Sequence, residues 1–206
     1  MAGVDLLIAK ALSSKIKKNL DSKTEEKIKL RLFKKFGLSI KQSIENFEKF
    51  DEVLEEFLKS DSRKFEQDCL SEIIEFSDSK KDSSELLIKD KAIVEQFLEI
   101  LGDKESRKIM EQTLKNPLLI SEILDICKLS QTSGYRKINS LIRNGFLIKS
   151  GHELTAKKRV IYKYSMFCKK INIELEKEKY VVKVKISKDV FRDSSVIQTI
   201  KDQYLI

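Results

Sequence analysis

The sequence predicts a mainly α protein with a small β component, and three observations support that class. Apolar residues recur at helical spacing over most of residues 4–76. Alternating apolar and polar residues, which are typical of half-buried strands, follow Gly145. Hydrophobic residues make up 41% of the 206 residues, which is enough for a folded chain. We therefore expect helices first and strands later.

Residues 1–76 predict a helical domain with one continuous apolar face. The helical spacing begins at Val4, and Gly37 lies where a helix commonly ends. The segment has 15 basic and 15 acidic side chains, so it carries no net charge. We expect it to fold alone as a regulatory or assembly domain that could receive a protein or small-molecule signal.

The next segment, residues 77–84, contains no apolar residue and predicts a flexible linker. Residues 85–101 then predict an amphipathic helix, and residues 188–206 predict a helical C-terminal tail. Both helices need a surface that covers their apolar side chains. We therefore expect a two-fold homodimer built on the 85–101 helix, the tail, or both, which would bury Leu87, Val94, Phe97, Val196 and Ile200.

Residues 85–187 predict a second domain, in which helices are followed by strands. Pro117 ends one helix, Ser130 is a good N-cap for a later one, and Gly145 lies where that helix should end. Extended segments then enclose a basic loop, and a further β-hairpin turns at residues 176–179. Helix, helix, turn, helix, strand, loop and strand is the order of a winged helix-turn-helix, which we predict here with an extra C-terminal hairpin and terminal helix.

The net charge of +8 is concentrated in this second domain. Residues 103–187 carry 19 basic and 9 acidic side chains. Within residues 128–170 there are 11 basic side chains, and Glu153 is the only acidic one. Such clustering attracts a polyanion, whereas the balanced first 76 residues do not. The sequence therefore predicts double-stranded DNA as the partner.

The candidate DNA-binding residues lie on a predicted recognition helix, residues 131–144, and on a basic wing, residues 149–163. Gly134, Ile138 and Leu141 should pack inward, and Gly134 leaves room for the preceding helix. Arginine can contact guanine with two hydrogen bonds, and cations on a wing can contact phosphates. The predicted contacts are Gln131, Thr132, Ser133, Tyr135, Arg136, Lys137, Ser140, Arg143, Lys157, Lys158 and Arg159.

Three segments, residues 101–110, 120–123 and 129–147, carry a family resemblance. The triplet Tyr135-Arg136-Lys137, followed by Leu141 and Gly145-Phe146-Leu147, is similar to the recognition helix and first wing strand of archaeal members of the ArsR-like winged helix-turn-helix superfamily. The resemblance implies sequence-specific, usually dimeric, transcriptional regulation. Metal-sensing members carry clustered ligands, but here Cys127 stands alone and His152 is the only histidine, so we do not expect metal sensing.

The first 76 residues resemble another archaeal module, the Nitrosopumilus output domain, which is found attached to regulators. The similarity lies in residues 9–12, 32–38 and 54–58. This resemblance implies no site residues.

The sequence lacks the patterns of several other classes of protein. It contains no catalytic set of side chains and no Gly-rich phosphate loop, so we expect neither an enzyme nor a bound cofactor. Three widely separated cysteines, Cys69, Cys127 and Cys168, fit a reducing cytoplasm. No signal peptide is recognised, and no apolar run approaches the roughly 20 residues of a membrane span. We therefore expect a cytoplasmic protein that does not contact a membrane.

Two alternatives to a DNA-binding regulator remain open at this point. Tyr162 and Tyr164 alternate on one predicted strand, and aromatic side chains on a sheet can stack on RNA bases. A winged-helix protein could instead use its basic face as a scaffold that binds another protein. That scaffold would favour apolar residues on the outward face of 131–143, where hydroxyls and cations prevail.

Overall fold

A computed structural model of the chain describes residues 3–79, 83–177 and 179–201. It is mainly helical, with two small antiparallel sheets, as the sequence predicts. The helices are α1 Gly3–Asn19, α2 Ser22–Phe36, α3 Ile40–Ile44, α4 Phe47–Leu58, α5 Ser62–Ser71, α6 Lys91–Gly102, α7 Lys104–Lys115, α8 Ile120–Cys127, α9 Gln131–Arg143, α10 Lys188–Asp193 and α11 Ser195–Lys201. The strands are β1 Ile74–Ser79, β2 Ser83–Ile88, β3 Leu118–Leu119, β4 Leu147–Leu154, β5 Val160–Met166, β6 Lys170–Glu176 and β7 Lys179–Ser187.

Helix α1 is buried on several sides and organises the N-terminal half. It packs against α3 and α5 within that half, and against α6 and α11 from later in the chain. Its side chains Val4, Ile8 and Ile16 are fully buried. A helix that is apolar around most of its circumference requires partners on several sides, and here those partners come from both ends of the sequence.

Two acidic side chains are buried in this half. Asp5 accepts a hydrogen bond from the Ser194 hydroxyl at 2.5 Å, and burial raises the pKa of its carboxyl. Glu66 on α5 is more strongly affected, because burial and the neighbouring Asp51 carboxylate raise its pKa to about 9. A group with that pKa is protonated at neutral pH, so Glu66 does not place an uncompensated charge in the core.

The first sheet has the strand order β1-β2-β7-β6, and all neighbours are antiparallel. It corrects the predicted linker at 77–84, because residues 77–79 and 83–84 belong to strands; residues 80–82 lie outside the described residues. The backbone of Ser84 pairs with that of Ile186, which the local polar sequence does not reveal. The predicted hairpin through residues 176–179 is confirmed as β6 and β7.

The predicted helix at 85–101 is only partly correct. Residues 85–88 form strand β2, where Leu86 and Ile88 alternate into the core. Asp90 then accepts hydrogen bonds from the backbone N–H groups of Ala92 and Ile93, which starts α6 at Lys91.

Three of the five side chains assigned to a dimer interface are buried within the chain, and Leu87 is half-buried on β2. Val94 and Phe97 of α6 and Val196 of α11 are buried, and Phe97 packs edge-on against Phe146 at 4.9 Å between ring centroids. Burial within the chain already covers these side chains, so they give no reason for an interface at this place, and the homodimer stays a prediction. The side chain of Ile200 lies outside the described residues.

Gly3 and Gly145 bring the two halves of the chain into backbone contact. A Cβ atom on Gly145 would lie 2.3 Å from the Gly3 carbonyl oxygen and 2.7 Å from the Leu7 nitrogen. A Cβ on Gly3 would lie 2.7 Å from the Gly145 carbonyl oxygen. The start of α1 therefore rests on the turn that ends α9, and the buried side chains of both halves form one core. That residues 1–76 fold alone stays a prediction, against which these contacts weigh.

We predict that Gly145→Ala destabilises the protein far more than Gly37→Ala. Both glycines have positive φ angles, 78° and 67°, but nothing lies within 4 Å of a Cβ on Gly37. Gly37→Ala should therefore cost only the left-handed strain, about 1 kcal/mol, whereas Gly145→Ala adds backbone clashes and should cost about 3 kcal/mol or more. Urea unfolding monitored by circular dichroism measures both losses. Equal losses would contradict the contact between α1 and the turn after α9.

Candidate nucleic-acid interface

Helix α9 is held against α8 by a short turn and a glycine. Lys128 has a φ of 55° and ends α8, and the Ser130 hydroxyl accepts a hydrogen bond from the Ser133 N–H at 3.3 Å. Gly134 faces α8, where a Cβ would lie 2.1 Å from the Leu124 Cδ2 atom. The prediction that Gly134 leaves room for the preceding helix is therefore confirmed, and Ile138 and Leu141 are buried as expected.

The face of α9 opposite this core is exposed and cationic. Thr132, Arg136 and Arg143 lie on it, as the sequence predicts. Asn139 shares the face and is exposed, although the sequence-based set omits it. At ~100° per residue around the helix axis, Asn139 lies between Tyr135 on one side and Thr132 and Arg143 on the other, so the helical periodicity was sufficient to identify it. Within the described residues no ion pair involves Arg136 or Arg143, although Glu99 and Asp103 line a cavity together with both arginines.

Two predicted contacts on α9 are instead engaged by α7. The Lys137 ammonium lies 2.7 Å from the Asp103 carboxylate and 3.5 Å from that of Glu105. The Ser133 hydroxyl is 3.4 Å from the same Glu105 carboxylate. Lys137 lowers the pKa of Asp103 to about 2, with further help from hydrogen bonds donated by Ser106. These side chains fasten α9 to the start of α7, which leaves them less available to an external partner.

The remaining predicted side chains of α9 differ in their surroundings. Gln131 is exposed, and Ser140 is half-buried with its hydroxyl 3.4 Å from the Asn144 amide nitrogen. Tyr135 lies on the flank that faces the second sheet, and 44% of its surface is exposed. The predicted DNA-contacting side chains of α9 therefore lie in three different places: on the outward face, on the flank against α7 and on the flank against the second sheet.

The second sheet has the order β3-β5-β4 and presents a basic loop at one end. Strands β4 and β5 pair from Leu147 with Met166 to Leu154 with Val160, with an irregularity between Lys149 and Gly151. Between them, Lys158 takes a φ of 55° and its N–H bonds to the Thr155 carbonyl oxygen at 2.8 Å. The tight turn exposes three adjacent cations, Lys157, Lys158 and Arg159.

The acidic side chain of this region is neutralised by a strand neighbour. The Glu153 carboxylate lies 2.6 Å from the Lys163 ammonium on the facing strand. Lys149 is also held, because its ammonium lies 4.0 Å from the centre of the Tyr162 ring. The field at the end of the sheet is therefore set by the three loop cations.

A cavity of about 350 Å³ lies between α9, strand β5 and the start of α8. Tyr135 of α9 lines it together with Tyr162 and Tyr164 of β5. Val160, which directly follows the loop cation Arg159, lines the same cavity. The strand that follows the loop therefore starts beside the flank of α9 that carries Tyr135.

The cysteines are buried and remain thiols. Burial raises the pKa of Cys127, and it raises that of Cys168 to about 12. Cys69 is also buried and carries a raised pKa. In the described part of the chain, no three His, Cys, Asp or Glu side chains are grouped to hold a metal ion. No helix in those same ranges is both long and apolar enough to cross a membrane.

We predict that Asp103→Asn loosens α9 in a pH-dependent manner. Asparagine keeps the helix cap of α7 but removes the charge that pairs with Lys137. The Asp103 side chain is 39% exposed, so solvent screening limits the loss at pH 7 to about 0.5 kcal/mol. Because the folded pKa of about 2 lies below the usual 3.8, this contribution is full above pH 4 and disappears as the pH falls toward 2.

Thermal melts of the unaltered protein and of Asp103→Asn at pH 7, 4 and 2.5 measure the difference in their stability. Glu105→Gln, which removes the longer 3.5 Å pair, is the matched control and should have the smaller effect. A difference in stability between Asp103→Asn and the unaltered protein that is independent of pH would rule out the ion pair as its source.

No protein-family model matches this sequence, and no curated protein matches it either.

Proposed function

We propose that the chain is a sequence-specific DNA-binding transcription regulator in which residues 103–166 act as a winged helix-turn-helix. The elements α7, β3, α8, α9, β4 and β5 follow one another in the order of that fold, and β3 completes the sheet by pairing with β5. Helix α8 braces α9, and the loop between β4 and β5 is the wing.

The observation that carries this proposal is the exposed face of α9, whose two arginines form no ion pair with the described residues. The major groove of DNA is about 12 Å wide and admits one α-helix. Arg136 and Arg143 could donate two hydrogen bonds each to guanine, and Asn139 could bind adenine in the same manner. Thr132, near the start of α9, could contact a phosphate or a base.

The basic loop extends this face toward the phosphate backbone. Lys157, Lys158 and Arg159 are exposed on a tight turn, and Val160, which follows them, lines a cavity with Tyr135 of α9. Cations that contact phosphates release bound counterions, which strengthens binding to every sequence alike. Base discrimination on α9 and general affinity on the loop are therefore separable contributions.

The tyrosine cavity favours a second candidate, which is binding to single-stranded RNA. Tyr162 and Tyr164 lie on the same face of β5, and Tyr135 adds a third ring to the cavity. Bases of single strands stack on such rings. An electrophoretic mobility assay with duplex DNA from genomic fragments and an RNA competitor separates the two candidates, and we expect RNA to compete poorly.

We predict that Arg136→Ala reduces discrimination between a preferred site and random DNA. Loss of a base contact should cost about 1–3 kcal/mol on the preferred site and much less on random duplex. Lys137→Ala removes the same charge from the adjacent position but breaks a contact to Asp103, so it serves as the matched control.

Fluorescence anisotropy titrations of both variants on both duplexes supply these affinities. Equal losses on the preferred and random duplexes with Arg136→Ala would show that this side chain reads no base. A larger loss of discrimination with Lys137→Ala would transfer the role to the other flank of α9.

We predict that the double variant Lys157→Ala with Lys158→Ala weakens binding to all sequences. Each lost phosphate contact should lower the slope of log affinity against log salt by about 0.9. Lys23→Ala with Lys27→Ala removes two exposed lysines from α2 and should leave the slope unchanged. Titrations between low and moderate salt measure the slopes, and an unchanged slope in the loop variant would show that the loop does not contact DNA.

A further inference from the structure

Strand β6 is an open edge of the first sheet. In the order β1-β2-β7-β6 it pairs with β7 on one side, from Lys170 with Lys185 to Glu176 with Lys179. No described strand pairs with its other side. Alternate N–H and C=O groups of an edge strand point away from its neighbour, so they can pair with another strand.

The side chains of β6 make this edge apolar on one face. Ile171 and Ile173 lie opposite Val184 and Val182, which are buried in the core. Leu175 continues the same row but is 65% exposed, and its cross-strand neighbour Tyr180 is 50% exposed. The apolar row therefore extends beyond the core and ends in solvent at the turn of the hairpin.

We propose that a second copy of the chain covers this edge by pairing its own β6 antiparallel to the first, about a two-fold axis at Ile173. In that register Ile171 lies opposite Leu175 of the second copy, and the two Ile173 side chains lie opposite each other. Lys170 lies opposite Glu176 at both ends. The strand is thus complementary to itself in both apolar character and charge, as a two-fold interface requires.

The sequence of β6 selects this register over its neighbours. Along β6 the backbone N–H and C=O groups face β7 and the open edge in alternation. A shift of the register by one residue would place edge-facing groups of one copy opposite β7-facing groups of the other. Only shifts by two residues therefore keep the hydrogen bonds. A pairing centred on Asn172 would place Cys168, rather than a lysine, opposite Glu176, and would place Lys169 opposite Leu175. The register centred on Ile173 pairs all seven residues of β6.

This interface replaces the surfaces that the sequence suggested for a dimer. Val94 and Phe97 of α6 and Val196 of α11 are already buried within one chain, whereas Leu175 of β6 is 65% exposed. The interface goes beyond the proposed function, because it concerns the protein free in solution and its test contains no DNA.

A charge exchange on the full chain tests the proposal. Glu176→Lys would place two lysines opposite each other at both ends of the interface, and Lys170→Glu would place two glutamates there. By two-fold symmetry, one substitution changes the pair between residues 170 and 176 at both ends of the interface. Each single variant should therefore raise the dimer dissociation constant about tenfold. The double variant Lys170→Glu with Glu176→Lys restores opposite charges and should return the constant to near that of the unaltered chain.

Sedimentation equilibrium measures the constants, and circular dichroism establishes that each variant is folded. Lys23→Glu is the matched control, because it makes the same charge change at an exposed position on α2, outside β6, and it should leave the dimer unaffected. A monomer at all concentrations overturns the proposal, and so does a dimer that neither single variant weakens. Failure of the double variant to recover, when both single variants dissociate, overturns the register.

Discussion

The close backbone approach of Gly3 and Gly145 is the constraint on which the arrangement of the chain depends. Gly145 must take a positive φ to end α9, and it must also lack a side chain because the first turn of α1 occupies that space. The same contact positions α1, around which the N-terminal helices pack. Gly3 and Gly145 together therefore determine where α9 ends and where the N-terminal helices lie.

Charge pairing decides which cations of the basic region face outward. Eleven basic residues occur between positions 128 and 170, but Lys137 and Lys163 are paired with carboxylates and Lys149 lies on a tyrosine ring. The paired cations hold α9 and the second sheet in place. The arginines on the outward face of α9 and the cations of the loop instead direct their positive charge toward solvent. A net charge taken from the sequence cannot make that distinction, because it depends on which carboxylates are within reach.

Much of the C-terminal half could be predicted from local patterns. Ser130 and Gly145 bound α9, and the alternation at Val182, Val184 and Ile186 identifies β7, because capping and burial act over a few residues. The strands at 74–79 and 83–88 were not predicted, since β2 is held by β7 almost 100 residues later. The partner of Lys137 was likewise missed, because Asp103 is 34 residues away. Asn139 of α9, by contrast, could have been added to the predicted DNA-contacting residues from the helical periodicity alone.

The contact between α1 and the turn after α9 has a thermodynamic consequence for any ligand of the N-terminal half. A ligand that favours one position of α1 also favours one position of α9, so its binding free energy is coupled to that of a partner bound at α9. Such coupling is reciprocal: if the ligand changes the affinity for the partner by some factor, the partner changes the affinity for the ligand by the same factor. A signal received among α2 to α5 would thus reach α9 through packed backbone, and a partner bound at α9 would change the affinity of the N-terminal helices for that signal.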